Sequence, residues 1–288
     1  MSVSIITACR NRIKPLSISI ASWIQFDEVD EIIVTDWNSD EPIDHLTRLS
    51  KKIKVIRVNN EPYFNQPQPL NLAASLVKSE YLLKLDNDHI LNPYFNFFDS
   101  YKITDKSFIS GCNAAQRGMD TYFLYPLWGL LYVNSEIFKK VGGYNENMGK
   151  YYAVEDDELS VRLISYGLTP SSIDVQKFTA LHIAHTDKDR VKNFESFESI
   201  NNVVSQSKKD LNKDQLYNYM AQLCRNKNHS EYPTISKVMN STDDVDPKKY
   251  WNFTWGEFKD LDMNWYSEPI YKWEVIQLTD QTYEAVKI

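Results

Sequence analysis

Four short apolar runs, Val3 to Ile6, Ile32 to Val34, Val55 to Val58 and Tyr81 to Leu85, shape the first part of this chain. Between them lie stretches with the marks of helices. Pro15 suits the first turn of a helix running to Ile24. Leu70, Ala73, Ala74 and Val77 recur at i, i+3, i+4 and i+7 after Pro67, the spacing of one buried helix face. Strand alternating with helix predicts an α/β fold, a mostly parallel sheet with helices on both faces. Most of these strands run into polar residues, and in an open α/β sheet those strand ends share one edge, where ligands bind. The fourth run ends in Asp86-Asn87-Asp88. Two carboxylates placed there can hold a divalent cation, and through it a diphosphate; the same residues would also suit a solvated turn.

The chain has 288 residues and is 42% hydrophobic, enough for one large α/β domain with an accessory segment or for two small domains. A net charge of −7 argues against a broad surface for nucleic acid or anionic membrane. Three cysteines, Cys9, Cys112 and Cys224, match no zinc or redox spacing, and the opening residues read as a core strand rather than a signal peptide. With no apolar run near the ~20 residues of a membrane span, the expectation is a cytoplasmic protein.

Further on, Tyr125 to Val133 reads as a buried strand, Ser135 as the cap of a short helix, and Gly142-Gly143 as a break. A helix is expected from Glu155 through Tyr166, ended by Gly167. Beyond Asp189, Phe194, Phe197 and Val204 mark one helix, and Leu216, Tyr219, Met220 and Leu223 another. The chain is acidic and aromatic from Thr242 on, with Trp251, Trp255, Trp265 and Trp273 suited to packing on the main domain or to stacking on sugar rings.

Four other stretches can carry chemistry. Thr7-Ala8-Cys9-Arg10-Asn11-Arg12 follows the first strand, and guanidinium forks suit phosphate oxygens. Asp36, past the second strand, can accept from a base N–H or a ribose hydroxyl, or can cap a turn. Glu155-Asp156-Asp157-Glu158 opens a helix, where acids gain from the dipole, and Glu158 can pair with Arg162. Acids crowded together also raise one another's pKa toward the range of a general base. His182 and His185 can share a metal if the backbone turns between them; on a straight strand they would face opposite sides.

In order and spacing these stretches resemble the GT-A fold, family 2-type glycosyltransferases, and most closely the β-1,4-galactosyltransferases. Thr7 to Arg12 is similar to that family's Pro-Phe-Arg-Asn-Arg nucleotide loop. Phe64-Asn65-Gln66 with Leu70-Asn71 resembles its Phe-Asn-Arg…Leu-Asn segment, with Gln66 standing for Arg. Asp86-Asn87-Asp88 matches its Asp-Val-Asp, Trp128-Gly129 its Phe-Gly, Gly142-Gly143-Tyr144-Asn145 its Asn-Gly-Phe-Pro, and Glu155-Asp156-Asp157-Glu158 its Glu-Asp-Asp-Asp. His185-Thr186-Asp187 resembles its His-Ser-Arg, and His182 falls where it often has a metal-binding Met.

The resemblance implies a metal-dependent, inverting transfer of a hexose or N-acetylhexosamine from a UDP-sugar to a glycan or other hydroxyl acceptor, as in polysaccharide biosynthesis. It implies a nucleotide-sugar site of Thr7, Ala8, Arg10, Arg12, Asp36, Phe64, Asn71, Asp86, Trp128 and Gly129. Asp88, His182 and His185 would hold Mn²⁺, with Mg²⁺ the lesser fit because it prefers oxygen ligands. Asp156 would be the general base, with Glu155 and Asp157 orienting the acceptor. Residues 1–190 would form the GT-A domain (nucleotide-binding 1–110, acceptor-side 111–190), and 191–288 a helical, aromatic-rich extension through which two copies could associate. The rivals are a nucleotidyltransferase, disfavoured because Thr7 to Arg12 contains no glycine, and a non-catalytic carbohydrate-binding protein on the same scaffold.

Overall fold

The computed structural model describes residues 1–111, 127, 129–144, 146, 155–185 and 273–288. A nine-stranded sheet runs through them in the order β10-β11-β3-β2-β1-β4-β7-β6-β8. Its parallel centre is β1 (Val3–Cys9), β2 (Val29–Trp37), β3 (Ile53–Val58) and β4 (Tyr81–Lys84). β1 is flanked by β2 on one side and β4 on the other, so the strand order reverses between β1 and β4. The crevice opens at the carboxyl ends of those two strands, where Thr7 to Arg12 and Asp86 to Asp88 lie.

Both faces of the sheet are covered, which is why the central strands read as unbroken apolar runs. Alternation along β1 sends Val3, Ile5 and Cys9 into one core and Ile6 and Ala8 into the other. The helix α1 (Ile13–Trp23) covers the first face with Leu16, Ile20 and Trp23; α2 (Pro67–Ser75) covers the second with Leu70, Ala73 and Ala74. α1 begins two residues before the expected Pro15, which keeps its place in the first turn.

After the short helix α3 (Phe97–Ser100), the other side of the sheet is built by β6 (Ser107–Ser110), β7 (Leu131–Asn134) and β8 (Thr169–Ser172): β7 runs antiparallel to both β4 and β6, and β8 pairs in parallel with β6. The strand expected over Tyr125 to Val133 is therefore shorter and later. Among the described residues before it, Gly129 sits at φ +87° and the Leu130 N–H closes a turn onto the Leu127 carbonyl. The cap of α4 (Ser135–Lys140) is Asn134 rather than Ser135: its side chain accepts from the N–H groups of Glu136 and Ile137. Gly142 and Gly143, both at positive φ, end that helix with bonds back to Lys139 and Phe138. The helix α5 (Glu155–Tyr166) has the expected bounds, with Gly167 at φ +110°. A two-stranded ribbon, β5 (His89–Leu91) against β9 (Ala180–His182), pairs His89 with His182.

The last residues depart from the expected helical extension. β10 (Trp273–Gln277) and β11 (Thr282–Lys287) form a hairpin, and β11 pairs in parallel with β3, so this end of the chain belongs to the main sheet. Trp273 and Val275 turn toward the core while Glu274 and Ile276 face out, a period of two rather than a helical one. Trp273 meets Trp37 edge to face at 5.4 Å, and the Gln281 carboxamide donates to the carbonyls of Ser50 and Ile53. The helices expected at Phe194 to Val204 and Leu216 to Leu223, and the other three tail tryptophans, lie outside the described residues.

Candidate active site

The turn Asp86 to His89 is pinned from below by α1. The Ser19 hydroxyl donates to the Asn87 carbonyl at 2.8 Å and the Trp23 indole to the His89 carbonyl at 2.8 Å. Thr7 donates to the Asn87 side chain. His89 is buried, and its Nδ1 accepts from the Asp86 N–H, so the proton of the neutral ring sits on Nε2. Two acids are thus fixed on one short turn; donor atoms of Asp86, Asp88 and His89 lie within 4.8 Å of one another, while each carboxylate also reaches partners of its own.

Asp88 anchors the first cluster. His185 Nε2 lies 3.1 Å from its Oδ2, His182 Nε2 lies 3.7 Å from its Oδ1, and Arg12 donates to Oδ2 at 2.7 Å. β9 ends at His182, and the Ile183 N–H bonds to the Asp88 carbonyl, so the chain turns before His185 and the two rings sit 5.0 Å apart. Donor atoms of Asp88, His182 and His185 all lie within 4.8 Å of one another, close to the span one divalent ion covers with bonds of about 2.0–2.6 Å. The protonation states suit a ligand set. Burial pushes His182 down to about 4, against the pull of Asp88, so its ring is neutral. Burial would raise Asp88, but the hydrogen bond from His185 and the Arg12 guanidinium beside it hold it well below the usual carboxylate range.

Lys84, the last residue of β4, carries the second cluster. Its side chain is wholly buried, yet Nζ lies 2.9 Å from Asp86 Oδ1 and 3.3 Å from Asp156 Oδ1. Both carboxylates reach the surface, 33% and 35% exposed. The Tyr144 hydroxyl donates to Asp156 Oδ1 at 2.9 Å, and burial followed by Asp156 holds that phenol well above its ordinary value. Gln66, with its amide oriented to satisfy both neighbours, accepts from Lys84 and donates to Glu155. Glu155 is buried, and burial followed by the charge of Asp156 raises it to about 8, so it is largely protonated at neutral pH. Gly129 is required here: a methyl group on it would lie 2.5 Å from Asp86 Oδ2 and 2.7 Å from Lys84 Nζ.

Several residues expected at the nucleotide-sugar site also have partners within the fold. Asp36 is fully buried; its carboxylate takes Arg57 at 2.6 Å and the N–H groups of Ser39 and Ile43. Thr7 is fully buried and Ala8 nearly so, both within β1. Asn71 ties α2 to the loop after α4, accepting from the Tyr144 N–H and donating to the Tyr144 carbonyl and Glu146. Arg10 donates to the carbonyls of Glu61 and Pro62, holding the loop that carries Phe64, and Arg12 is turned to Asp88. Phe64 is half-buried at the edge of the second core. Arg162 donates to the Val141 carbonyl. Trp128 and the side chain of Asp157 lie outside the described residues.

Lys84, His89, Tyr144 and Gln66 were not anticipated as site residues. A lysine among leucines in a buried strand is the legible signal for Lys84; His89 is brought in by the turn, Tyr144 by the loop after α4 and Gln66 by the start of α2.

Residues 4–120 match the sequence model of the family described as glycosyl transferase family 2. No curated protein matches the chain in sequence. Among solved structures, Staphylococcus aureus TarS 1-349 in complex with UDP-GlcNAc is 15% identical with a TM-score of 0.51, covering 90% of this chain and 80% of its own. The Drosophila β-1,4-galactosyltransferase 7 complex with manganese, UDP-Gal and xylobiose is 13% identical with a TM-score of 0.49, covering 100% of this chain and 93% of its own. Residues 4–120 thus carry the sequence pattern of a glycosyl transferase family 2 domain, on a chain with the GT-A fold.

Proposed function

We propose that the chain transfers a hexose or N-acetylhexosamine from a UDP-sugar to a carbohydrate hydroxyl, with inversion, using a divalent cation held by Asp88, His182 and His185. The observation that carries this reading is the pairing of two clusters at one sheet edge: a compact Asp/His set, and an exposed carboxylate, Asp156, braced by a lysine and a tyrosine. UDP-GlcNAc in the TarS structure, which shares the fold, is consistent with the donor. One carboxylate with two imidazoles suits Mn²⁺ better than Mg²⁺.

The bound cation would offset the charge that develops on the departing diphosphate. Asp86, on the same turn, is placed to bind a hydroxyl of ribose or of the donor sugar. Phe64, Trp128 and Gly129 would border the nucleotide and the sugar. Asp156 takes the proton from the acceptor hydroxyl as that oxygen attacks the anomeric carbon from the face opposite UDP, which inverts the centre. Glu155, neutral and buried beside it, can donate a hydrogen bond, and Glu155 and Asp157 orient the acceptor.

Asp156→Asn keeps size and hydrogen bonding and removes basicity. Transfer should fall by about 10²-fold or more with donor affinity preserved. Near-normal transfer by this variant would remove Asp156 from the role of base.

A further inference from the structure

We infer that Lys84 is a positioning residue for transfer, holding the base Asp156 in register with the donor-side acid Asp86; this rests on the assignment of Asp156 as base. Lys84 is the end of β4, Asp86 lies in the turn just beyond, and Asp156 is in the first turn of α5. Nothing in the chain's local order sets the distance between Asp86 and Asp156. Among the described residues, the one atom bonded to both is Lys84 Nζ, at 2.9 and 3.3 Å.

The lysine's setting has the marks of a built cradle. Its neighbours Leu82, Leu83 and Leu85 are wholly buried apolar side chains, and for packing alone a fourth would serve. Instead a buried ammonium is kept, with the Tyr144 ring 5.9 Å below it, the Gln66 amide beside it and Gly129 leaving the space above. Tyr144 bonds to the same Asp156 oxygen, so the carboxylate is held from two directions. Burial by itself would discharge the lysine, but Asp156 and Asp86 outweigh it and hold the ammonium above the ordinary lysine value. Two carboxylates facing one acceptor would otherwise repel and swing apart toward solvent.

The test is a double-mutant cycle on the full chain, scoring UDP release with acceptor present. Its variants are Lys84→Met, Asp156→Asn and the two combined, with Mn²⁺ affinity from the EPR signal of the free ion and folding from thermal melts. Asp86 and Asp156 are partly exposed, so water can solvate them in Lys84→Met and the variant should fold. Lys84→Gln, which keeps a donor toward Asp86, provides a second route. Both single lysine variants should lose transfer by roughly 10²-fold, as Asp156→Asn does, and should cost less than about threefold in the Asp156→Asn background. Mn²⁺ affinity should stay within about threefold, because Lys84 Nζ bonds to Asp86 and Asp156 and not to Asp88. Losses that multiply in the double variant overturn the proposal, as does near-normal transfer by the lysine variants. Failure of both lysine variants to fold would make Lys84 a structural ion and overturn it too. Normal transfer by Asp156→Asn alone overturns the base assignment and the proposal with it, whereas an impaired Asp156→Asn beside normal lysine variants overturns only the proposal.

Discussion

The Tyr144 hydroxyl donates to Oδ1 of Asp156 across 2.9 Å, joining the loop after α4 to the first turn of α5. A hydrogen bond to a carboxylate fixes its direction as well as its charge, and contributes about 1.5–3 kcal/mol. Tyr144→Phe should therefore lower kcat by about tenfold and leave donor KM within twofold. Steady-state kinetics would expose an error: a donor KM that rises with kcat unchanged would put Tyr144 on the donor instead.

Metal dependence should rest on Asp88, His182 and His185 jointly. Each Ala substitution should weaken Mn²⁺-dependent UDP binding by about 10-fold or more, measured by titration calorimetry. Unchanged Mn²⁺ affinity in all three variants would sink the site.

Glu155 makes a pH prediction with a definite sign. Its carboxyl titrates near 4.5 in the unfolded chain and at about 8 in the fold. The folded protein thus holds the extra proton between these values. The stabilisation from the neutral form is complete below 4.5, shrinks as pH rises and is gone above about 8. Glu155→Gln should flatten that loss and melt about 3–6 °C above the parent at pH 9, with little difference at pH 4. Parallel melting curves across the range would contradict the burial argument.

The carboxyl-terminal hairpin should stabilise the nucleotide side of the sheet. Trp273 packs on Trp37, whose indole donates to the Tyr63 carbonyl, and Lys287 pairs with Glu61 at 3.1 Å in the same loop. Trp273→Ala should cost about 1–3 kcal/mol in chemical denaturation. A neutral result would mean that the hairpin is only loosely docked.

The parallel half of the sheet was legible because its strands are buried on both faces and so are written as apolar runs with helical spacing between them. The cluster of Asp88, His182 and His185 is legible as residue types, but its geometry is not: whether His182 and His185 converge depends on β9 ending between them, which spacing cannot show. For Asp36 and Asn71 the sequence does not show the partners within the fold. Each has the chemistry of a ligand contact, and each also bonds to a group distant in sequence, Arg57 and the Tyr144 backbone. Lys84 stands out as a charge among leucines, but its role is not legible because its partner Asp156 is on another element. The hairpin at the end was obscured by the aromatic, acidic composition of the segment before it.

The most direct test is turnover of a panel of UDP-sugars with a carbohydrate acceptor, followed as UDP release with Mn²⁺ present, after EDTA, and after Mn²⁺ is returned. The account predicts release from at least one UDP-sugar, its loss with chelation and its recovery with Mn²⁺. Undiminished release in EDTA, or a folded protein that binds no UDP-sugar in the presence of Mn²⁺, would contradict it.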